Sequence, residues 1–62
     1  MGNKTLDMRV RTALLMHPYY DIDGVRSQVG QKYTDGELRA SFIRIGAYST
    51  EVDGEVFWNL PE

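Results

Sequence analysis

The chain has 62 residues, 42% hydrophobic and 26% charged, an ordinary globular composition with room for one core and no large cleft. It has no cysteine and a single histidine, His17, which excludes disulfides, thiolate metal sites, iron–sulfur clusters, thiol nucleophiles and histidine-rich metal sites. No apolar run approaches the roughly 20 residues that cross a bilayer, and the first residues lack a signal peptide's apolar stretch. These bounds predict one cytoplasmic domain over residues 1–62 that binds rather than catalyses and needs no cofactor.

The formal net charge of −2 conceals an asymmetry. Residues 1–50 carry all seven basic residues against five acids, whereas 51–62 carry Glu51, Asp53, Glu55 and Glu62 and no base. The two parts therefore offer different potentials to a polyanion.

A first helix is expected over residues 5–17, with Thr5 as its cap and Asp7 near the positive end of its dipole. Leu6, Val10, Ala13, Leu14 and His17 share one face at helical spacing, and Pro18 ends the element. Met8 and Leu15, seven apart, form a second apolar line on the opposite side. Tyr19-Tyr20-Asp21-Ile22 reads as extended. Asp23 can then cap a two-turn helix through Val29, with Val25 and Val29 buried and Gly30 as a left-handed stop.

Thr34-Asp35-Gly36-Glu37 is a capping box, so a third helix is expected from Asp35 to Ile45 with Gly46 as its stop. Leu38, Phe42 and Ile45 mark its core face. Beyond Gly46 the pattern becomes extended, and Asp53-Gly54 predicts a hairpin between strands 48–52 and 55–60. At least one of Phe57 and Trp58 is expected to serve the core.

This order of elements resembles the winged helix-turn-helix family over residues 5–60, carried by the 25–29 helix, the Gly30-Gln31-Lys32-Tyr33 turn, the 34–45 helix and the Val52-Asp53-Gly54-Glu55 wing. The resemblance implies an α+β, mainly α domain of three helices with a C-terminal β-hairpin wing. It also implies a double-stranded-DNA-binding regulator, transcriptional or recombination-type, whose 35–45 helix reads the major groove. Arg39 and Arg44 are then the principal contacts, with Ser41 on base or phosphate and Ala40 and Ile43 against thymine methyls. Lys32, Thr34 and Gln28 fall where phosphate contacts fix register, and Arg26, with Lys4, Arg9 and Arg11, adds peripheral backbone contacts if they share a side. The wing tip is acidic, so no wing contact to phosphate is expected.

So few cations bind a polyanion weakly, and a homodimer through Met8 and Leu15 doubles the positive surface. The alternative is a winged-helix adaptor or inhibitor that binds a protein through Gly36, Ala40 and Ile43 or through the acidic hairpin. Asp21-Ile22-Asp23-Gly24 resembles part of a calcium loop, but Tyr19 and Gly30 stand where ligands are required, and helix capping explains the acids. His17 reads as a helix-end residue, and no base or orienting group is spaced to activate Ser27, Ser41 or Ser49.

Overall fold

A computed structural model describes residues 4–61. Helix α1 spans Lys4–Met16, strand β1 Tyr20–Asp21, α2 Ile22–Val29, α3 Asp35–Ile45, β2 Tyr48–Val52 and β3 Glu55–Asn59. The fold is α+β and mainly α: three helices, with α2 and α3 joined by a short turn, and an antiparallel sheet in the order β1-β3-β2. The extended link and the C-terminal hairpin thus belong to one sheet, with Tyr20 opposite Trp58 and Asp21 opposite Phe57.

The core is small and continuous. Leu6, Val10, Ala13 and Leu14 of α1 close on Val25 and Val29 of α2 and on Leu38 and Phe42 of α3. Each such large side chain removed from water contributes about 1.5–3 kcal/mol. Trp58 lays its ring on Phe42, stacked with centroids 4.1 Å apart, and so ties the sheet to the helices. Because side chains alternate along a strand, Phe57 faces the other side of the sheet.

Local chemistry sets the boundaries. At α3, Thr34 accepts from the Glu37 amide at 3.2 Å, while Glu37 Oε1 accepts from the Thr34 amide at 3.0 Å. Gly46 ends the helix in the left-handed region at φ 78°, and the Ala47 amide donates to the Phe42 carbonyl at 2.8 Å. In the hairpin both turn residues have positive φ, Asp53 at 52° and Gly54 at 82°, the type I′ geometry that matches strand twist.

Four expectations are corrected. Thr5 lies within α1, which already includes Lys4, so it is not the cap. The α2 cap is Asp21 rather than Asp23: its Oδ1 accepts from the Gly24 amide at 2.8 Å, and pairing with β3 holds Asp21 extended. Gly30 ends α2 at φ 135°, ψ 136°, outside the left-handed helical region. His17 is exposed beyond the end of α1, its ring 4.6 Å from that of Tyr20.

Candidate nucleic-acid interface

The outward surface of α3 follows from its buried one. Leu38, Ser41 and Phe42 are buried, so a 3.6-residue period turns Gly36, Ala40 and Ile43 away from the core. Ile43 is 77% exposed and Ala40 partly so. Arg39 flanks this strip on one side, exposed and without an ion pair or hydrogen bond among the described residues.

The other flank is committed to the fold. Ser41 is fully buried and its hydroxyl donates to Asp7 Oδ1 at 2.6 Å. Arg44 grips the same carboxylate, Nε to Oδ2 at 2.9 Å and Nη2 to Oδ1 at 2.8 Å. The hydrogen bonds from Arg44 lower the Asp7 pKa, opposed by partial burial and assisted by Ser41. Asp7 in turn raises the pKa of Arg44. The arrangement is a charge-assisted clamp between α1 and α3. The expected Ser41 contact is therefore inaccessible, and the charge of Arg44 is neutralised where the sequence placed a principal contact.

Arg26 is similarly occupied. Its Nη1 donates to Asp23 Oδ1 at 2.7 Å and its Nε to the Tyr33 carbonyl at 3.2 Å, and it also pairs with Asp35. It holds the turn against both helices instead of standing free for phosphate. Thr34 spends its hydroxyl on the capping box. Gln28 is exposed but lines a shallow groove between α1 and α2 with Met8, Arg9, Thr12, Ala13 and Met16. Lys32 stays exposed in the turn, its Nζ 5.3 Å from the centre of the Tyr33 ring.

Of the residues nominated from sequence, the α3 surface thus brings together Arg39, Ala40 and Ile43, with Lys32 in the turn that leads into the helix. The wing carries Glu51, Asp53 and Glu55 exposed, with no ion pair among the described residues. On α1, Met8 and Leu15 are 71% and 63% exposed. The cations beside them, Lys4, Arg9 and Arg11, have no carboxylate partner among the described residues.

The Asp7–Ser41–Arg44 clamp was not anticipated from sequence, although one signal pointed to it. Ser41 falls at i+3 between Leu38 and Phe42 on the core face, and a buried hydroxyl needs a partner. Among the described residues no group of three or more His, Asp or Glu is placed to hold a metal, and no helix is long and apolar enough to cross a membrane. No protein-family model matches the chain, and neither a curated protein nor a solved structure is significantly similar to it.

Proposed function

We propose that this domain binds double-stranded DNA by laying α3 in the major groove, as a small non-catalytic regulator acting in the cytoplasm. The observation that carries the reading is the surface of α3. A helix anchored along its whole inner face presents a narrow outward strip of Gly36, Ala40 and Ile43, beside the unpaired Arg39. Small side chains let a helix approach base edges closely, Ile43 and Ala40 suit thymine methyls, and a free arginine suits guanine. Lys32 supplies a phosphate contact at the entry to α3. The element order and the turn between α2 and α3 agree with this mode of docking.

The electrostatic share of binding is modest in this account. Two cations near α3, Arg39 and Lys32, give a log–log salt slope of about −2 per protomer. The acidic wing adds no phosphate contact, because its carboxylates repel phosphates. A rival reading rests on the same strip: an Ile43 that is 77% exposed also suits an apolar protein ligand.

Titration against mixed-sequence duplex DNA at low and moderate salt separates the two. Binding that weakens with salt at the shallow slope above supports the DNA reading. No binding even at low salt removes it and leaves the protein ligand.

A further inference from the structure

The wing has an open edge. In the order β1-β3-β2, strand β2 pairs on one side only, and among the described residues nothing takes up its outer backbone groups. Its sequence, Tyr48-Ser49-Thr50-Glu51-Val52, contains no proline or lysine, residues that commonly protect such edges.

Which groups point outward follows from the turn. A two-residue type I′ loop makes Val52 and Glu55 a hydrogen-bonded pair, and antiparallel alternation then gives the same status to Thr50–Phe57 and Tyr48–Asn59. Ser49 and Glu51 therefore direct their N–H and C=O groups away from β3.

We propose that β2 pairs with β2 of a second copy, antiparallel across a two-fold axis at Thr50, joining the two sheets into one. Only residues with outward groups can form hydrogen-bonded pairs, and the register that uses both of them on each strand sets Ser49 opposite Glu51 of the second copy. Thr50 then meets its own equivalent, and Tyr48 meets Val52. Threonine against threonine and an aromatic against a β-branched residue are favourable cross-strand pairs.

Charge points to the same register. The single charge on β2, Glu51, faces a serine hydroxyl, Asp53 falls opposite Ala47, and no acid meets an acid. A shift that sets Glu51 against Glu51 loses hydrogen bonds and opposes like charges. On the sheet face turned away from Trp58, Tyr48 and Val52, 46% and 49% exposed, continue the apolar strip of Phe57 across the axis. The exposed ridge of α1 is a poorer self-contact, because it would gather Lys4, Arg9 and Arg11 of both copies, none with a carboxylate partner among the described residues, into one interface. The pairing leaves α3 uninvolved and does not rest on the DNA reading.

The test is molar mass by analytical ultracentrifugation over a concentration series up to about 1 mM. Thr50→Lys and Thr50→Glu each set like charges together at the axis while keeping every β2–β3 hydrogen bond. Wild type is expected to move from the 7.1 kDa protomer toward twice that mass. Each variant should weaken association at least tenfold, and an equimolar mixture of the two should restore it. Wild type that stays at protomer mass throughout overturns the proposal, as does either variant alone associating like wild type.

Discussion

Replacing Asp7 with alanine tests the packing account at its most exposed joint. The Asp7 carboxylate receives the Ser41 hydroxyl at 2.6 Å and two Arg44 nitrogens, and Ser41 is fully buried. Without the carboxylate, the hydroxyl stays in the core with no acceptor, at a cost of about 1–3 kcal/mol. A domain of this length has only about 3–9 kcal/mol of stability in total. At roughly 4–8 °C per kcal/mol for domains of this size, the midpoint should fall by about 4–24 °C. Thermal melts followed by far-ultraviolet circular dichroism read this directly. Adding Ser41→Ala to Asp7→Ala removes the orphaned hydroxyl and should recover part of the loss. An unchanged midpoint for Asp7→Ala, or a double variant no more stable than the single, refutes the reasoning.

Three further outcomes concern stability. The Asp7 carboxyl is held below its ordinary pKa by the hydrogen bonds from Arg44, so the unfolded chain takes up this proton first as pH falls. Its contribution is present above the ordinary carboxylate value and is lost as pH drops through the folded one; the advantage of wild type over Asp7→Asn in thermal melts should shrink over that acid range. Thr34→Ala removes the hydroxyl arm of the capping box, while the amide of residue 34 can still donate to Glu37, and should cost about 1 kcal/mol in denaturant unfolding. Gly24→Ala brings a Cβ into the Tyr20 ring and 2.7 Å from Asp21 Oδ1, and should cost about 1–3 kcal/mol in the same assay.

Local signals carried much of the fold. The capping box at Thr34, the left-handed Gly46 and the Asp53-Gly54 turn each act within a few residues, so sequence alone located α3 and the hairpin closely. Sequence alone pointed to Asp23 as the α2 cap, whereas the pairing of Tyr20 and Asp21 with β3, nearly forty residues away, makes Asp21 the cap. The binding surface was less legible for the same reason. Arg39 and Arg44 look equivalent on a helix drawn alone; a carboxylate 37 positions away neutralises one and leaves the other free. Arg26, likewise, reads as a loose cation until the fold brings Asp35 and the Tyr33 carbonyl to it.

That difference between two arginines is the sharpest handle on function. Duplex affinities of Arg39→Ala and Arg44→Ala, measured by fluorescence anisotropy at a temperature where both are fully folded, place the reading surface on one flank of α3 or the other. Loss of the free guanidinium should weaken binding at least tenfold, about 1.4 kcal/mol, while loss of the clamped one leaves it close to wild type. Equal affinity of Arg39→Ala and wild type, with the loss falling on Arg44→Ala instead, would contradict the account.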